Sequence, residues 1–397
     1  MLTTLRDIFL HHNAQTTHFP LLLEFEKANG VYLYDPDGKA YIDLISGIGV
    51  SNIGHGNKEV VEAIKNQADK FLHLMVYGEY VQKPQSLFAQ KLASYLPKSL
   101  SSIYFVNSGG EAIEGALKLA KRYTGRTELI GFENSYHGST HGALSLMGVE
   151  SFKNAYRPLL PEVRFLRFNS FEDLEKISHK TACVLVETIQ GEAGIRIPTS
   201  QYLKALRNKC TVMGALLILD EIQCGMGRTG KLFGFEHFEI IPDILVLAKA
   251  LGGGLPLGAF ISSQEMMFFL RENPILGHIT TFGGHPLSCA AGMAAFDFLN
   301  ENHLIDFIEE KSQLFHALLF HSKIIEIRRF GFMIAIEFED FEHNKKIIDR
   351  CIEKGVIADW FLHDSKSMRV APPLIITDTQ IIEVCEIIIE SIDWVYN

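Results

Sequence analysis

Between Ile103 and Ala248 one pattern recurs: a short unbroken apolar run, a small polar or glycine-bearing turn, then a helix-like stretch. The runs are IYFV, ELIGF, VRFLRF, CVLVET, ALLILD and DILVLA, with helices expected from Glu111, near Glu172 and near Leu203. Strands without polar alternation have no face to turn toward water, so both faces must be covered. Spaced by helices, they form a mainly parallel sheet in a doubly wound α/β domain. In such open sheets ligands sit beyond the carboxyl ends of the strands, so chemistry is sought there.

The flanks read differently. VYLYD from Val31 and AYIDLI from Ala40 bracket Asp35-Pro36-Asp37-Gly38, which predicts a hairpin, and a helix follows from Glu59. After a helix beginning near Ser288 come IEIRRFGFMIAIEFE, a helix from Lys345, GVIADWF, MRVAPPL, and a last helix capped around Thr377 and Asp378. This mix predicts a smaller α+β domain. The expected division is an N-terminal segment, 1–60, contributing to the small domain; a large domain, 61–295; and a C-terminal small domain, 296–397.

Charge and apolar patterning narrow the partners. The chain carries 47 Asp and Glu against 37 Lys and Arg, a net charge of −10. With no basic run, a nucleic-acid or anionic-membrane partner is not expected. Apolar stretches such as GALLILDEIQ from Gly214 are broken by charge or glycine well before the roughly 18 residues of a membrane span. The N-terminal MLTTLRDIFLHHNAQTTHF has no signal-peptide apolar region, which predicts a mature, cytoplasmic chain. Six cysteines, at 183, 210, 224, 289, 351 and 385, show neither CxxC nor metal-ligand spacing. They read as reduced core thiols, and no metal site is expected.

Five stretches carry the chemistry. Lys249 follows the strand of residues 244–248 and precedes Gly252 to Gly254. An amine partly desolvated there favours the neutral form that captures an aldehyde. Asp220 ends ALLILD, where a carboxylate can hold a protonated pyridine nitrogen, and Gln223 can donate to a ring oxygen. Ser108, Gly109 and Gly110 open a helix whose N–H groups and dipole suit a phosphate. Tyr136, beside His137, stands where an aromatic ring can stack on a flat heterocycle. Thr281 lies in a Gly-rich loop whose hydroxyls can reach a phosphate. Singly, each is commonplace: a strand-end lysine, a turn cap, a glycine turn, a core tyrosine, a polar loop. Together they match pyridoxal 5′-phosphate.

On these residues the sequence resembles the class III aminotransferases of pyridoxal-phosphate fold type I, the family of acetylornithine, ornithine, 4-aminobutyrate and diamine aminotransferases. The likeness runs from YDPDGKAYIDLISGIGVSNIGHG at Tyr34 to MRVAPPLIITDTQ at Met368, and is most specific in LILDEIQCGMGRTGKLFGFEHFEIIPDILVLAKALGGGLPLGAF from Leu217. The resemblance implies that Lys249 holds the cofactor's aldehyde and later shuttles a proton, that Asp220 partners the pyridine nitrogen, and that Gln223 meets the ring hydroxyl. Ser108, Gly109 and Gly110 become the phosphate cradle, with Thr281 contributing from the neighbouring subunit of a homodimer. Tyr136 stacks on the ring, and His137 and Glu187 join the cofactor-binding set. Glu192, in ETIQGEAGI, matches the acid that pairs with the arginine here numbered Arg369. When the pair opens, the arginine can take a carboxylate of 2-oxoglutarate or glutamate.

Three positions depart from the family. Its HGRT reads His137-Gly138-Ser139-Thr140 here, and a serine cannot replace a bidentate guanidinium. That leaves a donor without an α-carboxylate at this point, or another arginine such as Arg157 in the role. The family's Glu-Pro is Glu187-Thr188, and Gly110 stands where Thr or Ala is usual. The expected reaction is ping-pong transfer of the terminal amino group of an acetylornithine- or ornithine-like ω-amino acid to 2-oxoglutarate. Rival readings are a diamine or other ω-amine as donor, an aminomutase or racemase of the same fold, and a cofactor-binding regulator without turnover.

Overall fold

The computed structural model describes residues 4–76 and 78–397. Strands β1 (Lys27–Asn29), β2 (Tyr32–Tyr34) and β3 (Ala40–Asp43) form an antiparallel ribbon. Its β2–β3 turn closes because Asp35 Oδ1 accepts the N–H groups of Asp37 and Lys39, at 3.0 and 2.8 Å, while Gly38 takes a left-handed φ of 85°.

The central sheet holds β4 (Ser102–Val106), β5 (Glu128–Phe132), β6 (Val163–Leu166), β7 (Thr181–Glu187), β8 (Leu216–Asp220), β9 (Ile244–Leu247) and β10 (Gly258–Ser262). Their order is β4-β10-β9-β8-β7-β5-β6. Pairs β5–β6, β5–β7, β7–β8 and β8–β9 are parallel, and every residue of β5, β7, β8 and β9 is buried, as unbroken apolar runs require. This is the doubly wound, mainly parallel architecture of fold type I. Strand β10 is antiparallel to both β4 and β9. GAFIS is short, bounded by Gly and Ser, and followed by another serine, so it lacks the run length that marks the other strands.

Helix Gly109–Thr124 packs on β9 and β10, capped by the Ser108 hydroxyl, which accepts the Glu111 N–H, and ended by left-handed Gly125. A Cβ at Gly115 would come 2.3 Å from the Phe260 ring, so this glycine sets how closely the helix approaches the sheet. Near Glu172 the expected helix is one 3-10 turn, Glu172–Lys176. Asp173 there accepts both the backbone N–H and the guanidinium of Arg167, which pulls the segment back toward β6.

At the C-terminus β11 (Glu326–Phe330), β12 (Met333–Glu337), β14 (Asp359–Trp360) and β15 (Ser367–Val370) form an antiparallel sheet of order β11-β12-β15-β14. Strand β13 (Val356–Ile357) instead pairs in parallel with β3, joining the two ends of the chain in one sheet. The helix expected from Lys345 starts earlier, Phe341–Glu353, because Asp340 caps it by accepting the His343 N–H. The last helix, Asp378–Tyr396, has a Thr377/Gln380 capping box. All six cysteines are free and buried. Among the described residues no helix is long and apolar enough to cross a membrane.

The Phe260 ring, fully buried and against Gly115, is the main filler between helix and sheet. Phe260→Ala is expected to cost about 3–5 kcal/mol in urea unfolding; a loss below about 1 kcal/mol would show that the layer repacks around the gap.

Candidate active site

The carboxyl ends of β4, β5, β7, β8 and β9 converge on a cavity of about 460 Å³. Its lining includes Ser108, Gly109, Gly110, Tyr136, His137, Glu187, Glu192, Asp220, Gln223 and Lys249.

Each of these side chains is placed by a local device. Ser108 to Gly110 form the first turn of helix Gly109–Thr124, so that turn's free N–H groups face the cavity. The neighbouring loop comes within van der Waals reach: a Cβ at Gly138 would lie 3.1 Å from Gly110 Cα, and one at Gly110 would lie 3.2 Å from Thr140 Cγ2. After β5 the chain turns on the buried Ser135 hydroxyl, which bonds the carbonyls of Phe132 and Leu146. That turn delivers Tyr136 and His137 to the cavity wall.

Asp220 is held from two directions. Its Oδ2 receives His137 Nδ1 at 2.7 Å, and its Oδ1 accepts the Ile222 N–H at 3.0 Å. His137 is thus a support for Asp220, a role its place in the sequence did not specify. Its other nitrogen, Nε2, is buried without a partner. Glu187 accepts the N–H groups of Tyr136 and Gly191, yet burial and the adjacent Asp220 charge push its carboxyl up to about 8. Thr188 fills the role that proline cannot. Its N–H donates to the Asp220 carbonyl at 3.3 Å, and its hydroxyl donates to Glu221 Oε1 at 2.9 Å.

Glu221 went unnoticed in the sequence. Its buried carboxylate accepts the N–H groups of Gly234 and Phe235 as well, and burial lifts it to about 7. It pins the loop after β8 from behind. A carboxylate directly following Asp220 was the available signal.

Lys249 follows Ala248 with a left-handed φ of 52°, a costly conformation for a residue with a side chain. Burial holds its amine below the usual 10.5, the Glu192 charge opposing that shift. Glu192 is clamped by three donors: Arg369 Nη2 at 2.7 Å, the Leu362 N–H at 3.1 Å and Gln223 Nε2 at 3.2 Å. Burial alone would raise Glu192, but Arg369 outweighs it and the carboxyl sits at about 2. Arg369 does not reach the cavity wall; it stands behind Glu192.

One expectation meets different geometry. Arg157 lies outside the cavity, its exposed guanidinium bonded to Glu150. Thr281 is exposed and is not among the residues that line its own chain's cavity. Gln223, read from sequence as a donor to a ring oxygen, donates here to Glu192.

These residues fit pyridoxal phosphate by their own chemistry. An amine of lowered basicity, an anchored aspartate, an unpartnered buried imidazole nitrogen and a glycine-lined helix N-terminus surround one cavity. The comparisons agree. The family pattern described as aminotransferase class-III matches residues 13–392. The acetylornithine aminotransferase of Methanopyrus kandleri is 38% identical over 374 residues, 94% of either chain. That of Methanocaldococcus jannaschii is 38% identical over 383 residues, covering 94% of this chain and 92% of its own. The solved ornithine aminotransferase of Toxoplasma gondii ME49 superposes with a TM-score of 0.91 at 28% identity, covering 100% of this chain and 96% of that one. With strand ends, cavity chemistry and relatives in agreement, the chain belongs to the class III aminotransferases and is a pyridoxal-phosphate-dependent transaminase.

Proposed function

We propose that the enzyme moves the terminal amino group of an acetylornithine- or ornithine-like ω-amino acid to 2-oxoglutarate, both substrates using one site in turn. The observation that carries this reading is the placement of Glu192 on the cavity wall with Arg369 directly behind it. A covered cation leaves the site open to an amine; an uncovered one offers a carboxylate a partner. The relatives named for acetylornithine and the ornithine enzyme of similar fold support the same donor class.

When bound, the cofactor supplies an aldehyde that takes up an amino group and a ring that spreads the electron pair released at the neighbouring carbon. The chain's residues do the rest. Lys249 would hold the aldehyde between turnovers and, once displaced, take the proton from the substrate carbon and return it; its lowered basicity keeps a neutral fraction available. Asp220, fixed by His137 and the Ile222 N–H, would keep the ring nitrogen's proton in place. Ser108, Gly109 and Gly110 would bind the phosphate with N–H groups and a helix dipole. Tyr136 would cover one face of the ring, and Gln223 would be released toward the ring oxygen when Glu192 moves.

The donor's far end has a second reading, favoured by a specific observation. Among the described residues no arginine lines the cavity: position 139 is a serine and Arg157 lies outside it. A diamine or other ω-amine without a carboxylate there suits this wall. Comparing kcat/KM for an ω-amino acid and a diamine of equal length decides between them.

We also infer a homodimer with shared sites, in the cytoplasm. Thr281 is exposed and does not line its own cavity, while Asn107 Nδ2, on the cavity wall, bonds the adjacent Thr280 hydroxyl at 2.9 Å. Leu72, Leu74, Val81, Ile275 and Phe282 expose apolar surface that a second copy would cover. Six free thiols fit a reducing compartment.

Lys249→Ala is expected to lower turnover by about 10²–10⁴-fold and to remove covalent cofactor attachment; borohydride trapping that still labels the variant would refute the role. With 2-oxoglutarate and donor, the enzyme should form glutamate in step with donor consumed, which neither a mutase nor a regulator does. Covalent loading of the apoenzyme should rise with pH along a titration centred below 10.5, since only the neutral amine reacts and Lys249 is shifted downward. A midpoint at or above that value would contradict the burial argument. Thr281→Ala should weaken cofactor retention while sedimentation still shows a dimer.

A further inference from the structure

Arg369 has a second acidic neighbour that no part of the reading so far uses. Strands β14 and β15 run antiparallel with Asp359 directly across from Arg369. Asp359 Oδ1 lies 3.2 Å from Arg369 Nε, while Glu192 Oε2 lies 2.7 Å from Nη2 of the same guanidinium. The Arg369 side chain is 4% exposed, and its ring-facing side rests on Phe361, 4.7 Å from the ring centroid. One buried cation is therefore flanked by two carboxylates, and the cluster carries an excess negative charge when both are ionised.

The two acids are anchored differently. Glu192 sits on the loop after β7 and lines the cavity. Asp359 is fixed by strand pairing and stays beside Arg369 whatever the loop does. A substrate carboxylate that takes the place of Glu192 brings another negative charge to a site where Asp359 still holds part of the arginine's attraction.

We propose that Asp359 sets the enzyme's selectivity between its two substrates, by keeping a second negative charge on Arg369 and so weakening that arginine's grip on the acceptor's carboxylate. The inference rests on the reading that Arg369 receives the acceptor. Asp359 acts through Arg369 and is a positioning residue; it touches no substrate itself. The consequence is a site that rests in favour of an amine with an uncharged or cationic far end, and that releases its amino-acid product readily. The two negative charges would act on one buried guanidinium, where screening is incomplete and a change of severalfold in affinity is the expected scale.

The test compares the wild-type holoenzyme with Asp359→Asn, which keeps the size and shape of the side chain beside Nε while the charge is gone. Burial pushes the Asp359 carboxyl up to about 6, so the measurement is made at pH 8, where the wild-type group is ionised. The probe is glutarate, a dicarboxylate of the acceptor's length that cannot react, titrated by calorimetry. Asp359→Asn is expected to bind glutarate about five- to tenfold tighter, and KM for 2-oxoglutarate to fall by a similar factor without a matching rise in kcat. A merely structural residue would lose affinity when altered, not gain it. If Asp359→Asn does not fold, Asp359→Ser removes the same charge with less bulk and is read in the same way. Unchanged or weaker glutarate binding in a folded neutral variant overturns the proposal. Arg369→Gln separates the two layers of the argument. If it abolishes glutarate binding while Asp359→Asn fails to tighten it, only the role of Asp359 falls. If Arg369→Gln leaves glutarate binding intact, the acceptor binds elsewhere and the underlying reading falls with it.

Discussion

Two carboxyl groups stand side by side where β7 and β8 end, because Glu187 and Asp220 are register partners on parallel strands. Both are buried, and such a pair does not readily carry two charges in so little water. The structure resolves this by unequal support. Asp220 receives an imidazole nitrogen and a backbone N–H, while Glu187 has two backbone N–H groups and is nonetheless lifted to about 8. Burial and the adjacent carboxylate thus favour the protonated form of Glu187. The asymmetry leaves Asp220 anchored by a side chain as well as by backbone on the cavity wall. It depends on β7 and β8 being parallel and in this register, since a slip of one residue would turn one carboxyl into the packed layer behind the sheet.

The same economy of charge governs the other wall. Lys249 and Arg369 are the cations near the reacting centre, and each is held in a less available form: the lysine by burial, the arginine by its carboxylate neighbours. Each becomes available only when something leaves, a proton from the amine or Glu192 from the guanidinium. Glu192, held at about 2, does not leave by protonation at any ordinary pH, so a competing carboxylate must displace it. Exchange of one anion for another on a fixed cation lets one cavity serve two unlike substrates without a large movement of the fold.

Much of this was legible in the sequence because the sheet announces itself. Unbroken runs ending in Val106, Glu187, Asp220 and Ala248 mark strand ends, and the residues beyond them come together in a parallel sheet whatever the strand order. The strand GAFIS was not legible. It is brief, flanked by small residues and antiparallel, and only its partners β4 and β9 define it. Asp359 escaped for a related reason: its meaning lies in facing Arg369 across β14 and β15, a register that no local pattern encodes. His137 was visible as a residue but not as a support for Asp220, since its partner is 83 positions away. Arg157 was a reasonable candidate by type and proximity in sequence, and geometry places it on the surface with Glu150 instead.

The departures from the family pattern divide by what surrounds them. At Thr188 the lost proline is offset by two new hydrogen bonds, one to the Asp220 carbonyl and one to Glu221, so the strand edge that carries Asp220 gains ties. At Gly110 a side chain would press on Thr140 Cγ2 at 3.2 Å, so the absent one lets Thr140 approach, and the helix N–H groups that would face a phosphate are untouched. Both changes lie in the cofactor half of the cavity, and the chain itself makes them good. Nothing similar happens at Ser139, which is exposed and has no arginine standing in for the lost guanidinium on the cavity wall. The cofactor side is thus mended by its own neighbours, while the change at Ser139 on the substrate side is met by no replacement cation on the wall among the described residues. The acid at Asp359, 3.2 Å from Arg369 Nε, adds a second negative charge beside the cation that stands behind that wall.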